Sequence, residues 1–157
     1  MTNGNPRWVV LTWRLPSTSS TPRVTTWRTL RRMGAVLLTP GAAIVPFTDD
    51  LLEQCEWLAQ RIGEDGGEAW VLPVVALSER EEATIRERER ASREEEYGTL
   101  RVEAEALAVP ARRPPTRRKL RALDRGFTTV LARDHFTAKG RSSARRAIAK
   151  AHRVAGN

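Results

Sequence analysis

The order of apolar patterns in residues 7–77 constrains the fold more than any other feature of the sequence. Four short stretches have the apolar alternation or density that is typical of strands: 8–15, 35–39, 42–47 and 68–77. Two segments between them repeat apolar residues at helical spacing. The first begins at Pro22 and ends before Gly34, and the second follows the N-cap residue Thr48. The order β-α-β-β-α-β predicts an α+β fold, a ferredoxin-like βαββαβ domain with a four-stranded antiparallel sheet and both helices on one face.

The apolar positions also predict which faces are covered. Val24, Trp27 and Leu30 are expected to point from the first helix into the core. The other face of the sheet would carry five apolar side chains, Trp8, Val10, Trp70, Leu72 and Val74. Because such a face is not left in water, we expect either the later helices or a second copy of the chain to cover it. The favoured interpretation is a homodimer through this sheet face.

After Leu77 the sequence changes in character. A capping box at Ser78 starts a helix in which thirteen of the nineteen residues 78–96 are charged. Such a charge run is more often a solvated helix face than a functional site. The segment Pro110–Pro115 is predicted to end this helix.

Two further amphipathic helices are predicted beyond that break, at 116–134 and 143–155, capped by Thr116 and by Ser142 or Ser143. Their apolar stripes require both helices to pack: Leu120, Leu123, Phe127, Val130 and Leu131 in one; Ala144, Ala147, Ile148 and Ala151 in the other. The chain therefore divides into a ferredoxin-like domain (7–77), a charged helix (78–109) and a basic helical extension (116–155), with three C-terminal helices in all.

Charge is distributed unevenly between these parts. Residues 110–157 hold fourteen Lys and Arg against two acids, whereas residues 1–109 hold thirteen basic and seventeen acidic side chains. The net charge of +8 thus divides into +12 for the extension and −4 for the rest. A basic segment of this kind predicts a polyanionic partner, and DNA is the expected one.

The predicted DNA contacts are the Lys and Arg side chains outside the two apolar stripes: Arg117, Arg118, Lys119, Arg121, Arg125, Arg141, Arg145, Arg146, Lys150 and Arg153. No convincing helix-turn-helix is present, because the connection between the two helices is longer than the usual short turn. The alternative is that these helices pack against the acidic helix 78–96 of their own chain or of a partner. Ion pairs would then use up the cations, and the protein would be an interaction or dimerisation scaffold.

Six stretches, taken in order, carry a resemblance to a known family: Trp8–Pro16 (WVVLTWRLP), Arg23–Leu30 (RVTTWRTL), Gly34–Leu38 (GAVLL), Gly66–Leu72 (GGEAWVL), Arg93–Tyr97 (REEEY) and Leu131–Phe136 (LARDHF). Through them the chain resembles the N-terminal domain of ChrB, the regulator found with bacterial chromate-resistance systems. The resemblance implies a bacterial transcriptional regulator that binds promoter DNA and responds to chromate. ChrB proteins usually carry a further C-terminal domain that is not found up to Asn157, so the implication extends to DNA binding more than to chromate sensing.

More remotely, the βαββαβ segment is similar to the core of the repressor PaaX and of the small CRISPR-adaptation nucleases. Those nucleases hold a divalent cation with an Asp at the end of the first strand, and the matching position here is Trp13-Arg14. Because an arginine does not ligate Mg²⁺, a metal-dependent nuclease is the least favoured alternative, and we expect no enzymatic activity. Asp49 and Asp50 behind Thr48 are better explained as helix-capping acids.

An oxyanion site is a second hypothesis for the N-terminal half. Arg14, Arg23 and Arg28 would converge near the N-terminus of the first helix, where chromate or sulfate would be favoured by free N–H groups. The alternative is that these arginines are ordinary surface residues or pair with acids of another helix.

The remaining chemistry-bearing residues fit no metal or cofactor site. The single cysteine, Cys55, lies in a helical apolar pattern and is expected to be a buried, inert thiol. His135 and His152 lack other ligands at metal spacing. With no signal peptide pattern and no run of about 18 apolar residues, we expect a cytoplasmic protein without a cofactor or membrane association.

Overall fold

The computed structural model describes residues 4–18, 20–109 and 115–156. Its elements are β1 (Trp8–Arg14), α1 (Ser20–Met33), β2 (Val36–Thr39), β3 (Ala42–Pro46), α2 (Asp49–Glu64), β4 (Glu68–Val74), α3 (Glu79–Leu107), α4 (Arg117–Ala132) and α5 (Gly140–Gly156). They form two compact units, Met1–Ile85 and Arg86–Asn157, whose boundary falls within α3. The predicted break at Pro110–Pro115 lies almost wholly outside the described residues.

The first unit contains the predicted βαββαβ order of elements together with the start of α3. Its sheet has the strand order β2-β3-β1-β4, and every neighbouring pair is antiparallel. Alternate residues of β1, such as Val9 and Leu11, are buried together with the inward side chains of α1 and α2. The helical layer on this face confirms the predicted α+β fold class.

Local signals positioned most element ends correctly. Thr48 caps α2, and its hydroxyl accepts the N–H of Leu51 at 3.0 Å. Gly34 follows α1 with a φ of 71°, a left-handed conformation that glycine adopts without strain. β3 ends at Pro46, one residue before the predicted end of that strand, and a proline has no N–H to donate to a ladder.

The inward face of α1 differs from the prediction. Thr26, Leu30 and Met33 are buried, whereas Val24 and Trp27 are 43% and 48% exposed. Both sets have helical spacing and share Leu30, so periodicity alone could not choose between them. The helix also begins at Ser20, two residues before the predicted start at Pro22.

The outer face of the sheet is covered over only part of its width. Trp8, Val36 and Ile44 on this face are buried. Trp70 and Leu72, on the edge strand β4, remain 68% and 44% exposed. The homodimer predicted for this face remains a prediction, and the apolar surface left for it is concentrated on β4.

Cys55 lies in the core of the first unit with 1% of its surface exposed. Burial, with a smaller contribution from the charge of Glu56, raises the pKa of its thiol to about 11. A thiol that is both buried and protonated is unreactive, which agrees with the expected structural role. No helix in the described ranges is long and apolar enough to cross a bilayer.

Candidate nucleic-acid interface

The second unit packs α4 and α5 onto the part of α3 that follows Arg86. One apolar cluster joins these three helices: Tyr97, Leu100, Ala104, Ala108, Leu120, Leu123, Val130, Ala138, Ala144, Ala147, Ile148 and Ala151. It contains most residues of the stripes predicted for α4 and α5. The basic extension is therefore folded, and its apolar stripes dock as the sequence indicates.

Thr116 caps α4 as predicted, and its hydroxyl accepts the N–H of Lys119 at 3.4 Å. The start of α5 was predicted incorrectly, since the helix begins at Gly140 rather than after Ser142 or Ser143. A carboxylate from α3 explains the difference, because Glu94 Oε2 accepts the Gly140 N–H at 2.7 Å. This tertiary contact satisfies a free donor at the helix start, as a local cap would.

Two contacts show that α4 and α5 run antiparallel. The guanidinium of Arg145, near the start of α5, lies 5.6 Å from the ring centre of Phe127. Near the end of α5, His152 Nε2 lies 3.0 Å from Asp124 Oδ1. Moving forward along α5 thus means moving backward along α4, and the two helices lie side by side.

The cations on these two helices fall into rows. Arg117, Arg121 and Arg125 recur at i, i+4 and i+8 on α4, which places them on one side of that helix. On α5, Arg146, Lys150 and Arg153 recur at i, i+4 and i+7. Together α4 and α5 hold ten Lys and Arg and a single acid, Asp124, which lies against His152.

Apart from Arg141, which is half-buried, the ten predicted contact residues are exposed. Within the described ranges none of the ten forms a salt bridge with an acidic side chain. Arg145 has a cation–π contact with Phe127, and this contact leaves its charge unneutralised. The packed helices therefore keep their positive charge available to a partner.

The acids of α3 bind the connection between α4 and α5 instead. Glu89 Oε1 accepts the backbone N–H of His135 at 3.2 Å. Glu96 pairs with Arg133 and, at 3.1 Å, with Arg93. Because these carboxylates are committed to residues 133–140, they do not neutralise the exposed rows. The alternative in which the acidic helix uses up the basic side chains has no support within this unit.

Arg133 and Asp134, which anchor this connection, were not singled out by sequence reasoning. Tyr97, fully buried, donates its hydroxyl to Asp134 Oδ2 at 3.0 Å, and Asp134 Oδ1 also accepts the Ala138 N–H at 3.0 Å. Arg93 donates to the carbonyl of Arg133 at 3.3 Å. The only available signal was that REEEY and LARDHF, two stretches quoted for the family resemblance, supply these contacts.

The three arginines of the oxyanion hypothesis lie in the first unit. Arg14 pairs with Glu68 at 3.0 Å, and Arg23 donates to the carbonyl of Ser17 at 2.9 Å. Arg28 is exposed on α1. Two of the three thus have other partners, and the site stays a sequence prediction.

The fold and this surface define a ferredoxin-like domain followed by a helical unit with a free basic face. Comparison with protein families matches residues 23–109 to the family described as "Protein ChrB, N-terminal". Because the match covers more than half of the chain, the chain belongs to this family. The matched residues run from Arg23, within α1, to just beyond the end of α3, and they include neither β1 nor α4 nor α5.

A curated relative is similar over a shorter stretch. Protein ChrB of Cupriavidus metallidurans (strain ATCC 43123 / DSM 2839 / NBRC 102507 / CH34) is 33% identical over 79 residues, which is 50% of this chain and 24% of that protein. The similarity thus concerns about a quarter of the relative. The comparison with solved structures found no match.

Proposed function

We propose that this chain is a non-enzymatic, DNA-associated regulatory module of the cytoplasm, in which the cations of α4 and α5 contact phosphates. The observation that carries the proposal is that all ten predicted contact residues remain free of acidic partners in the described part of the chain. A link to chromate resistance rests on the ChrB family alone and is part of the same proposal.

The geometry favours contacts with the DNA backbone over base recognition. Rows of arginine at one-turn intervals on two antiparallel helices form a broad charged surface. Such a surface neutralises several phosphates at once and releases their counterions, which is favourable for any DNA sequence. Arginine outnumbers lysine on both helices, and its planar guanidinium suits bidentate phosphate contacts.

The test is a salt titration of DNA affinity, measured by fluorescence anisotropy. One labelled duplex comes from the region upstream of the gene, and a second of equal length has an unrelated sequence. We expect binding that weakens steeply between 50 and 200 mM salt, with a log–log slope of about −0.9 per phosphate contact. No binding to either duplex at 50 mM salt would overturn the proposal.

A matched pair of variants locates the surface. Arg146→Ala with Lys150→Ala should weaken binding to both duplexes and reduce the slope by about 2. Arg80→Ala with Arg88→Ala removes the same charge from exposed positions of α3 and should leave the slope unchanged. If both pairs reduce the slope equally, net charge rather than the α4–α5 surface governs binding, and the assignment is wrong.

A further inference from the structure

The helical layer of the first unit carries charges of opposite sign on its two helices. α1 has four arginines and no acid, whereas α2 has five acids and one arginine. Their net charges of +4 and −4 are thus equal and opposite. Although the two helices are neighbours, no salt bridge joins them within the described ranges.

A groove of about 380 Å³ lies between the two helices. Thr25 and Thr29 line it on the α1 side, and residues from Gln54 to Glu64 line it on the α2 side. Arg28 and Arg32 follow the two threonines at i+3, so they form the rim of the α1 wall. Arg61 and Glu64 both lie on the opposite wall, so the acidic excess of α2 comes from its other acids, Asp49, Asp50, Glu53 and Glu56.

Trp57 lies on the α2 wall of this groove with 65% of its surface exposed. Its indole N–H donates to Glu53 at 3.4 Å, which holds the ring beside an acidic side chain rather than inside the core. A large, rigid aromatic side chain beside charged neighbours is typical of an interface centre rather than of an ordinary helix surface.

We propose that this helical layer is a self-association surface and that its partner is a second copy of the chain. In a two-fold symmetric dimer the same patch on each copy must complement itself. If α1 of one copy lies on α2 of the other, both contacts join a basic helix to an acidic one. Each Trp57 then enters the partner's groove. No other pairing of the two helices matches charge at both contacts.

Charge reversal with rescue tests this arrangement, in the full-length protein and without DNA. Arg28→Glu with Arg32→Glu reverses two charges and brings the net charge of α1 from +4 to 0. Glu53→Arg with Glu64→Arg likewise brings that of α2 from −4 to 0. We expect sedimentation velocity to show a dimer for the unmodified chain and a dissociation constant at least about tenfold higher for each variant alone. Mixed in equal amounts, the two variants should form a heterodimer, because one contact again joins a helix of charge +4 to one of −4. At the other contact the reversed side chains of the two variants face each other with opposite charge.

Rescue on mixing also shows that both variants are folded, and circular dichroism provides a second check. Trp57→Ala should weaken the dimer without altering charge. Trp70→Ala with Leu72→Ala, on the outer sheet face, is the matched control. The sequence predicts a homodimer through that face, whereas a dimer through the helical layer should stay intact in this variant. The proposal is overturned if the unmodified chain stays monomeric at 100 micromolar in low salt, if mixing fails to rescue folded variants, or if only the sheet-face variant dissociates the dimer.

Discussion

Tyr97 on α3 donates its hydroxyl to Asp134, 37 residues away, at 3.0 Å. Asp134 belongs to the connection between α4 and α5, and the ring of Tyr97 lies in the apolar cluster of that unit. One side chain therefore packs the three helices and also holds the turn between the two basic ones. Thr137 in this turn has a φ of 55°, a strained conformation for a β-branched residue that persists only where its surroundings require it.

We expect Tyr97→Phe to keep the packing and lose the hydrogen bond, lowering the free energy of unfolding by about 1–2 kcal/mol. Asp134 keeps the Ala138 N–H, so the loss should stay below that of a fully orphaned carboxylate. Urea denaturation followed by circular dichroism measures the difference. An unchanged midpoint would mean that the hydroxyl contributes nothing to the turn.

The same contact predicts that the stability falls at alkaline pH. Ionisation of the phenol can be followed by absorbance without interference from another tyrosine, because Tyr97 is the only tyrosine in the chain. Burial, followed by the hydrogen bond to Asp134, raises the pKa of its phenol. The folded state thus keeps a proton that the unfolded state releases near pH 10, and stability falls as the pH rises above about 10. Tyrosinate absorbance should appear together with the loss of helical circular dichroism. Phenol ionisation well before unfolding would contradict this.

Glu89 should make the second unit less stable as the pH rises above the pKa of an unfolded glutamate, about 4.3. It is 2% exposed, and burial raises its pKa against the opposing effects of the His135 N–H and Arg93. The folded state therefore binds its proton more tightly than the unfolded state does. The stability from this group is fully present below the unfolded pKa of about 4.3 and is lost as the pH rises through the folded pKa.

Glu89→Gln keeps an oxygen for the His135 N–H and removes the ionisation. We expect the variant to become more stable relative to the unmodified chain, measured by the free energy of unfolding, as the pH rises from about 4 to 7. Glu87→Gln, an exposed neighbour on the same helix, is the control. Parallel pH profiles for Glu89→Gln and the unmodified chain would show that Glu89 does not titrate with a raised pKa.

Replacing two glycines of the first unit by alanine, one at a time, should change the stability in opposite directions. A Cβ at Gly67 would lie 2.4 Å from the backbone oxygen of Arg14, on the neighbouring strand, so Gly67→Ala forces the strands apart and should destabilise by about 1–3 kcal/mol. A Cβ at Gly63, inside α2, meets nothing within 4 Å. Gly63→Ala should therefore stabilise by about 0.5–1 kcal/mol. Thermal melts of both variants check the pair, and equal signs would contradict the backbone argument.

Most of the fold could be predicted from the sequence because its signals are local. Thr48, Gly34 and Pro46 act through their own backbone neighbours, so their roles do not depend on the rest of the molecule. The prediction of the inward face of α1 was wrong because Leu30 belongs to two overlapping stripes of helical spacing. Only the sheet beneath the helix decides that Thr26 turns inward and Trp27 outward.

The sequence predicted which basic side chains the two C-terminal helices carry, but not whether those side chains would be free of acidic partners. Residue counts show that the basic helices carry a large charge, yet they do not show where the acids of α3 go. Glu89 and Glu94 bind backbone N–H groups of the α4–α5 connection, and a backbone donor has no sequence signature. The start of α5 was mispredicted for the same reason, because its cap comes from a different helix.

Arginines of the second unit should separate into structural and DNA-contacting groups. Arg133 is largely buried against Glu96, so Arg133→Ala removes a partner of a half-buried carboxylate. Because Glu96 keeps Arg93, we expect a loss of about 1–3 kcal/mol in unfolding free energy, below the loss for breaking an isolated buried pair. Where the variant is folded, the salt slope of DNA binding should be unchanged.

Arg121→Ala with Arg125→Ala should have the opposite effect, with almost no change in the unfolding free energy and a reduced salt slope of DNA binding. Both side chains are exposed on one row of α4, so the unfolding free energy should change by less than about 0.5 kcal/mol. The salt slope of DNA binding should fall by about 2, as for two lost phosphate contacts. Urea denaturation and the anisotropy titration, applied to both variants, measure the two quantities independently. If Arg133→Ala alone flattens the slope while the α4 pair does not, the connection and not the helical rows would contact DNA.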